Sequence, residues 1–297
     1  MSTEETLRQC AIEAFSGVDG ILVINMDSSR DRYETFCETV GKYLPQGKLH
    51  RISAVAGRQL PSYGKPPWFT ENTADRAPFW GGTGGCALSH RNAIAFAKSQ
   101  GWRNVLIFED DVFIKATPDS FKLLSESLLS LEGAYLLYLG YNRPAPYGVK
   151  RKICGGSSLW ESEGVIAAHA YVVSAELYDV ILKSLPESDD DIWQWLSEYR
   201  AIDVFYRDFV SYLPGVKIYV MQPIICYQKD GESDIGLNAA QGTSEACTQA
   251  PIPFCSVGGL LHALKYPFHR LKILLNSHRT RLRAQKGGLP GYKKRKK

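Results

Sequence analysis

Asn104-Val105-Leu106-Ile107-Phe108-Glu109-Asp110-Asp111 decides how this chain folds. Residues 105–108 are an unbroken apolar run without polar alternation, the pattern of a strand covered on both faces. Three carboxylates follow directly. An earlier run of the same kind, 21–26, ends in Asp27-Ser28-Ser29. Around these two, helical spacing is expected at 30–42, 86–99, 120–131, 175–185 and most of 192–212. Shorter strands are expected at 49–55, 134–139, 165–173 and 216–220. Strands alternating with helices predict an α/β domain with a largely parallel, helix-flanked sheet, and place ligands at the carboxyl ends of its strands. Two stretches interrupt the alternation. Residues 57–85 read as a long irregular segment, which Trp68 and Trp80 are expected to anchor by packing, and 143–160 read as a Gly/Pro-rich excursion.

The 297 residues are 44% hydrophobic and 22% charged, which excludes disordered, collagenous and disulfide-scaffold classes. Seven cysteines without a CxxC pair fit reduced thiols better than a zinc ribbon. The N-terminus MSTEETLRQC does not read as a secretory signal, and no apolar run reaches the roughly 18 residues of a membrane span, so a cytoplasmic chain is expected. The net charge of +4 conceals an asymmetry. Residues 1–245 hold 23 basic and 31 acidic side chains, a net of −8, whereas 246–297 hold twelve basic and no acidic ones. An acidic body argues against nucleic-acid binding; a basic tail points to an anionic surface.

Three adjacent carboxylates repel one another, so a cation is expected to compensate them. A hard divalent ion takes carboxylate oxygens and keeps places for phosphate oxygens, which makes Asp111, with Asp110, its candidate ligands; a solvated turn is the alternative. Asn25 to Arg32 follows the first strand and opens a helix, a setting that suits either an anion or simple helix capping. GxGxxG and GxxxxGK[ST] are both absent, which removes the dinucleotide fingerprint and the P-loop. In Gly84-Gly85-Cys86-Ala87-Leu88-Ser89-His90 the adjacent Ser and His do not face each other on a helix, so a packing role beside the acidic strand is expected rather than nucleophilic catalysis.

In order, an Asn, an Arg-Asp-Arg, a Gly-Cys-x-x-Ser-His helix start and a strand ending in Glu-Asp-Asp resemble glycosyltransferase family 25, which includes lipooligosaccharide and procollagen galactosyltransferases. Tyr138-Leu139-Gly140, Ala168–Ser174, Ala201-Ile202-Asp203, Pro223–Gln228 and Ser233-Asp234-Ile235 continue the resemblance, which spans roughly residues 20–236. It implies a GT-A type fold with a Rossmann-like mixed sheet. It also implies a UDP-sugar donor, most often UDP-galactose, a glycan or lipid-linked acceptor, and an inverting transfer assisted by Mn²⁺ or Mg²⁺. Carried over by position, Asp111, Asp110 and His169 would hold the metal. Asn25, Arg30, Arg32, Ser89 and Glu109 would line the donor pocket. Asp203, with Asp110, would carry the catalytic acid–base role, since inversion needs a carboxylate on the acceptor side. Asp189, Asp190 and Asp191 read instead as a solvated run.

The chain thus divides into an N-terminal extension at 1–17, a transferase domain at 18–245 and a basic amphipathic helical tail at 246–297. Pro267 is expected to start or break the tail helix, and the tail fits peripheral attachment to an anionic membrane. UDP-glucose as donor and a non-catalytic binding module are the alternatives.

Overall fold

The computed structural model describes residues 3–63, 68, 77–142, 146–188, 191–229, 250–287 and 289. Its helices are α1 (Thr3–Phe15), α2 (Arg30–Thr39), α3 (Ala77–Ser99), α4 (Pro118–Leu128), α5 (Tyr178–Ser184), α6 (Ile192–Tyr199), α7 (Ile202–Asp208) and α8 (Val257–Gly287). Its strands are β1 (Gly20–Asn25), β2 (Leu49–Ser53), β3 (Asn104–Glu109), β4 (Val112–Ile114), β5 (Tyr135–Tyr138), β6 (Tyr147–Cys154), β7 (Ser157–Ser162), β8 (Ala170–Ser174), β9 (Lys217–Gln222), β10 (Cys226–Gln228) and β11 (Ile252–Pro253).

Among the described residues, nine strands form one sheet in the order β11-β6-β7-β9-β5-β8-β3-β1-β2, and β4 pairs with β10 in a second, two-stranded sheet. Alternation along the central strands sorts the core into two layers, as a pleat with both faces covered requires. Leu22, Ile24, Val105 and Ile107 pack toward α3 and α5–α7, whereas Ile21, Val23, Leu106 and Phe108 pack toward α1, α2 and α4. Helix α1 belongs to this second layer, to which it gives Ala11, Ala14 and Phe15. The apolar runs at 21–24 and 105–108 are therefore buried for the reason their sequence suggested.

Five expectations need correction. The sheet is mixed, as the family resemblance implies, and not largely parallel as the strand–helix alternation alone predicts: β1 runs parallel to β2 and β3, but β8 lies antiparallel between β3 and β5. The excursion at 143–160 contains the hairpin β6–β7, turned at Gly155-Gly156, where Gly155 has φ +53°. Helix α3 begins at Ala77, nine residues before Cys86, and runs through its own glycine cluster. The helical stretch from Ile192 is broken at Arg200, whose φ is +69°. Helix α8 continues through Pro267 rather than starting or ending there. Trp68 and Trp80 are buried, as packing anchors should be.

Candidate active site

The parallel register of β1 and β3 sets Ile24 beside Glu109, so Asn25 and Asp110 meet just past the strand ends. Asn25 is buried and fully used. Its amide Nδ2 donates to Asp110 Oδ2 at 2.6 Å and to the Ser29 carbonyl at 2.9 Å, and its Oδ1 accepts from Arg51 Nε at 2.8 Å. Arg32, on the first turn of α2, forms an ion pair with the other Asp110 oxygen. Asp110 is thus gripped from two sides. Burial still raises its carboxyl above the ordinary value, with the Glu109 charge adding to the rise and Asn25 and Arg32 opposing it.

Glu109 faces α3. His90 Nε2 lies 3.4 Å from Glu109 Oε1, and Gln228 Nε2 donates to Glu109 Oε2 at 3.2 Å and to Asp111 Oδ2 at 3.4 Å. Burial raises the Glu109 carboxyl, but the His90 hydrogen bond and the charges of His90, His169 and Arg32 outweigh it, and the net shift is downward. Asp111 goes the other way. Burial, then the charges of Glu109 and Asp110, push it up to about 7 against the pull of Arg32 and Gln228. Its Oδ1 is buried and has no hydrogen-bond partner among the described residues.

These groups border a cavity of about 360 Å³. The acids form one wall with Arg32 and Gln228; Cys86, Ser89 and His90 of α3 form a second; the turn Ala54–Gln59 after β2 forms a third. Ser89 fastens that turn, accepting from the Val55 amide at 2.8 Å while donating to the Gly85 carbonyl at 2.6 Å. The turn approaches the helix so closely that a Cβ on Gly85 would lie 2.3 Å from the Val55 carbonyl oxygen. This is why glycines occupy that part of α3.

The structure thus gathers Asn25, Arg32, Ser89, Glu109, Asp110 and Asp111 in one place. Arg30 is exposed and does not border the cavity. His169 is fully buried outside the cavity lining, with Nε2 3.2 Å from the Cys226 carbonyl oxygen and Nδ1 unpartnered among the described residues; burial lowers its pKa. Asp203 also stands outside the lining. Its Oδ2 accepts from the Ala167 amide at 3.1 Å and its Oδ1 from the Val204 amide at 2.8 Å, so it holds the turn in which Ala167 has φ +94°. Burial raises the Asp203 carboxyl. Asp189, Asp190 and the Ser233–Ile235 motif lie outside the described residues. Sequence reasoning missed Arg51 and the Ala54–Gln59 turn, and it gave His90 only a packing role. A charged residue inside the short strand LHRIS was the available signal for Arg51.

A divalent cation fits this donor set. Asp111 offers a buried oxygen with no partner among the described residues, Glu109 lies beside it, and burial, with the neighbouring carboxylates, raises Asp111.

No curated protein matches the chain. Among solved structures, it is similar to the crystal structure of mannose-1-phosphate geranyltransferase from Thermus thermophilus. Identity is 12%, 68% of this chain and 73% of that chain are covered, and the TM-score is 0.36. The family comparison returns a glycosyltransferase family described as an LPS biosynthesis protein. Over residues 18–142, the segment holding Asn25, Arg32, the Gly85–His90 turn of α3 and the acidic triplet, the chain matches glycosyltransferase family 25.

Proposed function

We propose that the chain is a GT-A type, nucleotide-sugar-dependent glycosyltransferase that moves a hexose, galactose in the first instance, from a UDP-sugar to a hydroxyl of a glycan acceptor with inversion. The observation that carries this reading is the orphaned Asp111 oxygen at the end of β3, beside Glu109 and Arg32 in one cavity. In this reading Asp111, with Glu109, holds Mn²⁺ or Mg²⁺. When bound, the ion would neutralise charge growing on the departing diphosphate. Arg32 faces the same space and suits phosphate oxygens. Gln228 keeps Glu109 and Asp111 from separating. Asn25 fixes Asp110, so that Arg32 is held at the cavity edge. The test is donor hydrolysis across UDP-, GDP- and CMP-sugars, with and without Mn²⁺. Mn²⁺-dependent turnover of one UDP-sugar supports the reading; binding of no donor by folded protein overturns it. UDP-glucose in place of UDP-galactose would change only the sugar.

Asp203 keeps its place in this reading as the acceptor-side carboxylate, and its raised pKa suits a base. Asp203→Asn is expected to lower transfer by about 10²- to 10⁴-fold with donor binding intact. Lost thermal stability with transfer unchanged would mark Asp203 as a clamp for Ala167 alone.

The same reading places the enzyme at an anionic membrane surface through α8. No described helix is long and apolar enough to cross a membrane. Helix α8 turns Gly259, His262, Tyr266 and Ile273 toward the body, positions three to seven apart that share one face. Val257, Leu260, Leu264, Phe268, Leu271 and Leu275 occupy the opposite face and are exposed, Phe268 to 75%. Lys265, Lys272 and Arg279 lie beside them, with no acidic residue in the helix. An outward apolar stripe edged by cations matches the headgroup boundary of an anionic bilayer. The protein is expected to pellet with vesicles containing phosphatidylglycerol, and Leu264→Glu/Phe268→Glu to stay in the supernatant. Equal pelleting of the two would exclude this role for the stripe.

A further inference from the structure

We propose that Cys86, His90 and Glu109 form a site for a soft divalent cation of the zinc class, different in its donors from the carboxylate pair expected to take Mn²⁺ or Mg²⁺. Cys86 and His90 are four residues apart on α3 and therefore share one face of the helix. Strand β3 delivers Glu109 opposite them. The sulfur, an imidazole nitrogen and a carboxylate oxygen all lie within 4.8 Å of one another. Zinc bonds to sulfur, nitrogen and oxygen at about 2.0–2.3 Å in a tetrahedron, so a small closure of these side chains completes three of its four positions. Thiolate and imidazole are poor ligands for Mg²⁺ and suit zinc.

The surroundings are already those of a ligating histidine. His90 is buried, and its other ring nitrogen, Nδ1, lies 2.9 Å from the Tyr171 hydroxyl, which is 3.0 Å from that of Tyr206. The Tyr171 ring stacks against the imidazole. A hydrogen bond on the rear nitrogen fixes tautomer and ring orientation in metal sites. The tautomer needed here carries its hydrogen on Nδ1 and gives it to Tyr171, leaving the Nε2 lone pair for the ion. Cys86 and His90 both border the cavity, so the fourth position opens to solvent or to a ligand oxygen. As the sulfur–zinc bond forms, the thiol proton leaves to solvent. Because Glu109 belongs to both donor sets, zinc here would compete with donor uptake. That consequence rests on the proposed function; the binding itself does not.

Cobalt is the probe. Metal-free full-length protein titrated with Co²⁺ is expected to show a thiolate-to-cobalt charge-transfer band that one equivalent of Zn²⁺ removes. The band should vanish in Cys86→Ser and persist in Asp111→Asn. Tyr171→Phe should weaken zinc binding by about 10- to 100-fold. In the unaltered protein, Zn²⁺ should protect Cys86 from alkylation, read by peptide mass mapping, so the test does not depend on any variant folding. Folded protein without the band, a band that survives Cys86→Ser, or alkylation of Cys86 that zinc does not slow would each overturn the site. A failed donor panel would leave these readouts untouched.

Discussion

Asp111→Asn is expected to reduce Mn²⁺-dependent transfer by on the order of 10³-fold while making the metal-free protein more stable. Both effects come from one carboxylate. Its Oδ1 is buried without a partner among the described residues, and burial together with the Glu109 and Asp110 charges lifts its pKa from 3.8 to about 7. The folded state therefore keeps a proton that the unfolded chain releases between about pH 4 and 7. The stability this group gives is fully present below its unfolded pKa and is lost as pH rises through about 7. An amide at position 111 has no charge to suppress and can donate to Glu109. The gain should be negligible near pH 4 and reach on the order of 1–3 kcal/mol above pH 7. Thermal melts at about pH 4.5 and 8 in chelator, beside initial rates in Mn²⁺, check both halves. A variant that loses activity but melts below the unaltered protein at the higher pH would contradict the electrostatic account.

Gly57→Ala should be the most damaging small substitution among the described residues around the cavity. A Cβ there would lie 1.8 Å from the Gly81 carbonyl oxygen and 2.6 Å from the Gly85 amide nitrogen, and neither backbone atom can rotate away. The Ala54–Gln59 turn must then lift off α3, breaking the Ser89–Val55 hydrogen bond and removing one wall of the cavity. The cost is expected to be about 2–4 kcal/mol, a fall in melting temperature of roughly 5–10 °C, with donor affinity reduced more than about tenfold. Gly156→Ala is the control. A Cβ there meets nothing within 4 Å, so its melting temperature should not move. Equal melting of the two variants would show that the turn is not seated on the glycines.

The central strands were legible because their chemistry is local. Ile21–Ile24 and Val105–Phe108 have no polar face to show, and the acids at the end of β3 mark where burial stops. The hairpin β6–β7 was missed, because the glycines and prolines around Gly155-Gly156 read as loop. The antiparallel course of β8 was not legible. AYVVS is apolar throughout, and nothing in such a strand states its direction or its neighbours. The site divides in the same way. Asn25, Arg32 and the triplet follow strand ends, where topology puts ligands. His90 and Cys86 depend on which face of α3 turns to β3, and Gln228 arrives from a residue 119 positions beyond Glu109. Asp203 was legible as an acid in a family-like motif, but the amides of Ala167 and Val204 that its oxygens accept from were not.

The position of β8 also bears on modularity. Residues 18–142 carry the family signature, yet they are not a self-standing piece of protein. Strand β8 is threaded between β3 and β5, so a fragment ending at 142 would hold two apolar strands with an empty lane between them. Each would present unpaired backbone along an exposed hydrophobic edge, the geometry of aggregation. The acid-bearing half therefore cannot be exchanged between proteins, or expressed, without the later strands that close its sheet. The smallest unit that can be inherited or transplanted intact reaches at least from β1 through β10.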